Sequence, residues 1–242
     1  MDSKKDWFTD WFNTPYYHIL YKHRNDDDAK IFMKNLTAFL PLEKSSHILD
    51  LPCGKGRHAV FLNSLGYKVT GGDLSENSID FAKQFENNTL NFQVYDMRKP
   101  FIKKYNAIFN LFTSFGYFQE DQEDILVLKN FKNGLLKDGW LVIDFLNVEK
   151  VKNNLVKEER KTIDNIDFHI KREIKNGFIF KHISFFTEGK QHSYTEQVKF
   201  LNLEKMKEYL KSANLQLAHT FGNYELHSFN PTTSDRLILI AK

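Results

Sequence analysis

Cysteine is all but missing from this 242-residue chain, with Cys53 alone. One thiol excludes an internal disulfide and fits a reducing compartment, so a cytoplasmic protein is expected. No apolar run reaches the ~18 residues of a membrane span. The N-terminus has no apolar secretory core, and no membrane partner is expected. Charge of one sign does not accumulate either. The 34 Lys and Arg against 31 Asp and Glu leave a net charge of +3. Without a long basic block, bulk attraction to nucleic acid is not indicated. The nine His show no metal-ligand spacing, and with one Cys a zinc site is not expected. There is no internal repeat and no low-complexity linker.

Hydrophobic residues make up 41% of the chain, enough for a core, and 23 Phe make much of that core aromatic. The length suits one α/β domain, or such a domain with an added lobe. The organising stretch is Ile48-Leu49-Asp50-Leu51-Pro52-Cys53-Gly54-Lys55-Gly56-Arg57-His58-Ala59. An apolar run ends in an acid, a loop with two glycines follows, and an apolar helix-like stretch begins. Such a strand, turn and helix brings backbone N–H groups and a helix N-terminus close to a ligand. Asp73 closes a second apolar run from Lys68, and Asp96 closes a third from Asn91, so acids fall at 50, 73 and 96 with a spacing of 23. That spacing is near the length of a βαβ unit, roughly 30 residues. Adjacent strand ends would put three carboxylates along one edge of a sheet.

Trp7, Phe8, Trp11, Phe12, Tyr16, Tyr17 and Tyr21 crowd the first 25 residues. A free tail is usually polar, so this segment is expected to pack, either as a helix covering the core or as a lid over a pocket. Asp26-Asp27-Asp28 suits a helix start. Ala29, Phe32, Met33, Leu36, Phe39 and Leu40 continue it with helical spacing up to Pro41. Tyr105 to Phe112 and Trp140 to Phe145 read as fourth and fifth strands. Asp121 to Leu136 forms a helix between them, and Lys137-Asp138-Gly139 a turn. Strands alternating with helices predict a parallel sheet covered on both faces. Near residue 155 the texture changes. Phe168 to Ile174, Phe178 to Phe185 and Ser193 to Leu201 are short and partly alternating, separated by the hairpin signals Asn176-Gly177 and Glu188-Gly189. They predict a three-stranded antiparallel insertion. A helix from Leu203 to Ala213 and two last strands, Leu215 to Phe221 and Arg236 to Ala241, complete the chain. The expected division is 1–154 with 202–242 as the core and 155–201 as the insertion.

Gly54-x-Gly56-x-x-Ala59 matches the dinucleotide fingerprint, and Asp73 sits near the position of its ribose-binding acid. Asp50, Asp96 and Asn110 at strand ends, and a chain ending in two strands without a second mononucleotide half, point elsewhere. The carrying residues are Asp50 to Arg57, Gly72-Asp73-Leu74-Ser75, Asp96-Met97-Arg98 and Asn110 to Tyr117. Through them the chain resembles the class I S-adenosylmethionine-dependent methyltransferases over about residues 45–150. The aromatic N-terminus and the insertion resemble their small-molecule branch. The resemblance implies an α/β, Rossmann-like, seven-stranded, mostly parallel sheet with helices on both faces and the antiparallel insertion after the fifth strand. It implies S-adenosylmethionine as cofactor, S-adenosylhomocysteine as product and a small-molecule acceptor.

It also implies site roles. Pro52, Cys53, Gly54 and Gly56 would let the backbone approach the methionine portion, with Asp50 near its ammonium. Asp73 would take the ribose diol, beside Ser75. Asp96 and Met97 would meet the adenine edge, and Leu74 and Met97 its faces. Asn110, Leu111 and Phe112 would end the fourth strand against the ammonium. Tyr17, Tyr21 or Arg24 would close the site. Cys53 reads as a small buried residue rather than a nucleophile. Transfer by in-line displacement needs mainly alignment, and Tyr117 and His182 are the candidates should a base be used. His169, Arg172, His182 and Glu196 are polar groups of the insertion, either solvated or paired, or available to a substrate. A monomer or a homodimer fits. A nicotinamide-dependent oxidoreductase and a non-catalytic methyltransferase-fold module remain the alternatives.

Overall fold

In the computed structural model, which describes residues 7–22 and 26–242, the glycine loop sits at the middle of a seven-stranded sheet. The strands are β1 (His47–Asp50), β2 (Lys68–Asp73), β3 (Leu90–Val94), β4 (Tyr105–Asn110), β5 (Leu135–Leu146), β10 (Leu217–Phe221) and β11 (Arg236–Ala241). Their order is β10-β11-β5-β4-β1-β2-β3. β1 to β5 are parallel, while β11 runs antiparallel to both β5 and β10. The expected mostly parallel sheet is present. The order reverses between β1 and β4, which are adjacent. A crevice outside the carboxyl ends of the strands opens at such a switch point.

Alternation along each strand splits the core in two. Ala107 and Phe109 of β4 and Ile238 and Ile240 of β11 pack with Phe32, Met33 and Leu36 of α3 (Asp26–Phe39) and with Leu62 of α4 (Arg57–Ser64). Ile108, Leu237 and Leu239 point the other way. They join Leu128 and Phe131 of α6 (Asp121–Gly134) and Met206 and Tyr209 of α8 (Leu203–Ser212). α5 (Glu76–Ala82) starts at Ser75, whose hydroxyl accepts the Ser78 amide at 3.1 Å. α4 has no side-chain cap; it begins at Gly56, in the left-handed region at φ 86°. A Cβ there would meet the Phe92 ring at 2.8 Å, and one at Gly71 would meet it at 2.4 Å. Phe92 of β3 therefore packs directly on the glycine backbone, and the loop keeps its shape because those positions carry no side chain.

Three expectations change. Asp96 lies two residues beyond β3, which ends at Val94. The turn at Lys137-Asp138-Gly139 is absorbed into β5, where pairing with β4 jumps from Tyr105↔Leu135 to Ala107↔Trp140. The insertion has four strands rather than three, in the order β6 (Glu158–Ile163), β7 (Ile166–Lys175), β8 (Phe178–Thr187), β9 (Lys190–Lys199). Its hairpins turn at Asp164-Asn165, Asn176-Gly177 and Glu188-Gly189, all six residues at positive φ, as two-residue turns of matching twist require. The short helix α7 (Val148–Asn153) leads into it from β5.

The aromatic N-terminal segment forms α1 (Trp7–Phe12) and α2 (Pro15–Leu20). Trp11, 1% exposed, and Leu20 pack with Ile163, Phe168, Ile183 and Phe185 on one face of the four-stranded sheet. Phe8 packs edge-on to Phe118 of the core. Among the described residues no helix is long and apolar enough to cross a membrane.

Candidate active site

Between the strand ends of the large sheet and the roof formed by α1, α2 and the insertion lies a cavity of about 650 Å³. Four strand-end segments line its floor: Pro52 to Gly54 after β1, Asp73 to Ser75 after β2, Tyr95 to Met97 after β3, and Leu111 to Ser114 after β4. Tyr17, Tyr21, Arg172, Lys181 and Glu196 line it from above. Residues far apart in sequence are brought together because consecutive parallel strands end on one edge.

Asp73 holds the loop. Its Oδ2 accepts the Gly54 amide and its Oδ1 the Ser75 amide, each at 2.8 Å. Burial raises its pKa, and the amides of Ser75, Gly54 and Leu74 pull it back. Asp50, at the end of β1, is fully buried, and neither oxygen accepts a hydrogen bond of ordinary geometry. Burial and the neighbouring Asp73 charge push its carboxyl up to about 8, against the Ala59 amide and the Arg57 charge. Asp96 is gripped by Arg98, whose amide and guanidinium donate at 2.8–3.1 Å. Burial alone would raise Asp96; Arg98 outweighs it and holds the carboxyl below its ordinary value. Burial pushes the Cys53 thiol well up, which fits a packing residue rather than a nucleophile.

The loop after β4 has an unusual backbone. Phe112 and Thr113 are both left-handed, at φ 59° and 61°. Fully buried Asp144 of β5 holds them. Its Oδ2 accepts the Phe112 amide at 2.9 Å, its carbonyl the Thr113 amide at 2.8 Å, and its Oδ1 the Arg236 Nε at 2.7 Å. Arg236 also donates to Thr113 Oγ1 at 3.0 Å. His58 stacks on Phe112 with centroids 4.9 Å apart, and the Arg57 guanidinium lies 5.0 Å from the same ring.

Of the residues singled out from sequence, Pro52, Cys53, Gly54, Asp73, Leu74, Ser75, Asp96, Met97, Leu111, Phe112, Tyr17, Tyr21 and Tyr117 line the cavity. Asp50, Gly56 and Asn110 stand behind the lining. Asn110 is buried and donates to the Leu51 carbonyl at 2.9 Å. Arg24 lies outside the described residues. Tyr117 donates its hydroxyl proton to the Thr113 carbonyl at 2.6 Å, so it sits in the wall as a donor. His182 is not in the lining and requires a correction. It contacts Thr195 and Glu173, at 3.0 and 3.4 Å. Inward positions of β8 are Ile179, Lys181, Ile183 and Phe185, so parity puts His182 on the opposite face. Sequence reading gave no site role to His18, Lys55, Arg57, His58 and Lys181, all in the lining. His18 is lowered to about 4 by burial, then by Lys55, and faces the cavity as a neutral imidazole. Among the described residues no group of His, Cys, Asp and Glu could hold a metal ion.

The comparisons agree on family and fold. The probable S-adenosyl-L-methionine-dependent methyltransferase TehB of Haemophilus influenzae is 31% identical over 146 residues. The match covers 58% of this chain and 45% of that protein, so the chain spans less than half of that relative's length. A solved S-adenosylmethionine-dependent methyltransferase from Clostridium acetobutylicum superposes with a TM-score of 0.80 at 18% identity, covering 94% and 95% of the two chains. The sugar N-methyltransferase KedS8 from Streptoalloteichus does so with a TM-score of 0.72 at 15% identity, covering 93% and 92%. The family model described as tellurite resistance protein TehB matches residues 4–166, well over half of the sequence, and the chain belongs to that family, with the class I S-adenosylmethionine-dependent methyltransferase fold.

Proposed function

We propose that this chain transfers the methyl group of S-adenosylmethionine to a small polar acceptor enclosed in the cavity. The observation that carries the reading is Asp50, a fully buried carboxyl just before the glycine loop whose oxygens accept no hydrogen bond of ordinary geometry. A buried acid of this kind calls for a cation or a donor from a ligand, and an α-ammonium is such a group. Gly54 supports the fit, since a Cβ there would meet nothing within 4 Å, leaving its backbone open for approach. In this reading Asp73 takes the ribose, Asp96 and Met97 the adenine edge, and Leu74 an adenine face. Helices α1 and α2 and the insertion, 155–201, roof the rest of the core division, 1–154 with 202–242.

Bound S-adenosylmethionine supplies a methyl already activated by a sulfonium, so alignment and exclusion of water are the main tasks left to the protein. Trp7, Phe12 and Tyr117 form an aromatic wall for the second task, with Trp7 5.2 Å from Tyr117 centroid to centroid. No side chain is assigned as a general base. A small acceptor is supported by the roof: a polymer would need an open, charged groove. The description of KedS8 as a sugar N-methyltransferase is in keeping with it.

Isothermal titration tests the reading. S-adenosylhomocysteine is expected to bind far more tightly than NAD; tight NAD binding with only millimolar S-adenosylhomocysteine would turn the assignment toward an oxidoreductase. Asp73→Ala is expected to weaken S-adenosylhomocysteine by roughly 1.5–3 kcal/mol, the worth of hydrogen bonds to a charged group. Its circular dichroism should stay native, because the Gly54 and Ser75 amides it releases lie in the connections after β1 and β2. Wild-type affinity in that variant, or a globally unfolded spectrum, would remove the ribose role.

A further inference from the structure

The chain returns from the insertion to the core through Lys199, the last residue of β9, which is 4% exposed. Its Nζ donates to Asp124 Oδ2 at 2.7 Å and to Asp121 Oδ1 at 2.9 Å. The two carboxylates lie three positions apart and so share one face of α6. Asp124 is fully buried, and burial raises it to about 6, against Lys199 and the Gly116 amide. The Lys199 amide donates to the Gly116 carbonyl at 2.8 Å. Gly116 thus meets both partners of the ion pair: its carbonyl bonds to Lys199 and its amide offsets the Asp124 charge. It is left-handed, at φ 76°, and a Cβ there would meet the Leu201 side chain at 3.1 Å. The exit strand of the insertion and the loop after β4 are therefore closely joined at this point.

Both sides of this joint continue into the cavity lining. Glu196, Gln197 and Val198 precede Lys199 and line the roof, and Tyr117 and Phe118 follow Gly116 and line the wall. Trp7 of α1 stands on Tyr117, with 5.2 Å between centroids. A buried ion pair contributes little net stability, because desolvation offsets its attraction. What it adds over an apolar contact is direction. Apolar surfaces slide on one another, whereas an ammonium bonded to two carboxylates has a fixed place. We infer that Lys199 is a positioning residue for methyl transfer, its pairing with Asp124 setting where roof and wall stand over the floor; the inference rests on the methyl-transfer reading above. A methyl donor on the floor and an acceptor under the roof meet in line only while that setting holds. Misplacement by about 1 Å can cost on the order of a hundredfold in rate.

The test compares Lys199→Met, the double variant Lys199→Met with Asp124→Asn, and Leu36→Ala, each as the full chain well below its melting temperature. Lys199→Met leaves Asp124 buried without its ammonium and is expected to melt lower; Asp124→Asn removes the orphaned charge and should restore much of that loss. Leu36→Ala empties a site in the opposite layer of the core and lowers melting without touching the joint. Two readouts follow position rather than stability. The first is release of S-adenosylhomocysteine in a stopped-flow chase. Both Lys199 variants should release it about tenfold faster or more, as a loosened lid does, and Leu36→Ala at the wild-type rate. The second is the fluorine spectrum of protein labelled with fluorotryptophan. In the double variant the signal of Trp7, at the contact of roof and wall, should move or broaden. Those of Trp11, buried within the roof, and Trp140, on β5, should stay. Wild-type release or an unmoved Trp7 signal in the folded double variant overturns the inference and leaves the pair a stability element. Equally fast release from Leu36→Ala overturns it too. So does a double variant that cannot fold, since the pair would then serve the fold itself. Failure of the wild-type protein to bind S-adenosylhomocysteine is distinguishable from all of these: it removes the methyl-transfer reading, and this role with it, whatever the Trp7 signal does.

Discussion

Asp50→Asn is expected to make the ligand-free protein more stable at pH 8 and, in the same molecule, to cripple its hold on S-adenosylhomocysteine. The folded Asp50 carboxyl titrates near 8 because burial and Asp73 disfavour its charge, whereas in the unfolded chain it titrates near 4, as a free Asp does. Between those values the folded state keeps a proton that the unfolded state has released. The protonated carboxyl's contribution to stability is fully present below about pH 4, falls as pH rises, and is lost once pH passes about 8. Each pKa unit is worth about 1.4 kcal/mol, so the loss is on the order of 5 kcal/mol. The variant does not titrate and escapes it. Melting temperatures measured from pH 5 to pH 8.5 should diverge in its favour by about 10 °C at the alkaline end. Binding of a ligand ammonium should reverse the sign at this site, expelling the Asp50 proton. Titrations of wild type with S-adenosylhomocysteine below pH 8 should therefore show enthalpies that vary with the buffer's own ionisation heat, and the variant should not. Parallel melting curves for the two proteins across that range would mean that Asp50 is ionised in the ligand-free fold.

What sequence could tell was set by how each residue is used. β1, β2 and β4 are buried on both faces, so they read as apolar runs, and their ends were marked by Asp50, Asp73 and Asn110. β6 left no such trace. It is the edge of the small sheet, its sequence is Glu-Glu-Arg-Lys-Thr-Ile, and Ile163 is its only buried residue. Charge on an edge is a protection against further pairing, and it hides the strand from any search for hydrophobic alternation. β8 failed in the opposite way. Phe178, Phe180 and Phe186 stand at one parity and Ile179, Ile183 and Phe185 at the other, so the pattern did not say which face was inward. That ambiguity favoured His182 over Lys181. The sheet registers settle it, since Lys181 faces Arg172 and Glu196.

The clearest signal left unused was Asp144, an acid inside the apolar run from Trp140 to Phe145. A carboxylate in a fully buried strand needs paired and hydrogen-bonded company, and here the company shapes the site. Non-glycine residues in the left-handed region cost about 1–2 kcal/mol each, and the two in succession, Phe112 and Thr113, persist because Asp144 accepts both amides and Arg236 ties Thr113 Oγ1 to the same group. Removing one partner of a buried ion pair typically costs 3–5 kcal/mol, since the other is left uncompensated. Asp144→Ala is therefore expected to lose about that much stability in urea denaturation. It should also free the Phe112 amide, while the backbone carbonyl of residue 144 keeps the Thr113 amide, loosening the turn at the cavity floor and weakening S-adenosylhomocysteine in a way that excess ligand partly restores. Arg236→Met should cost less, because Asp144 would keep the Phe112 amide and the Tyr224 hydroxyl, which lies 3.4 Å away. The double variant should cost clearly less than the sum of the two, as coupled neighbours do. Additive losses, each below about 1 kcal/mol, would show that the pair contributes no more than a surface salt bridge and that the turn holds its own shape.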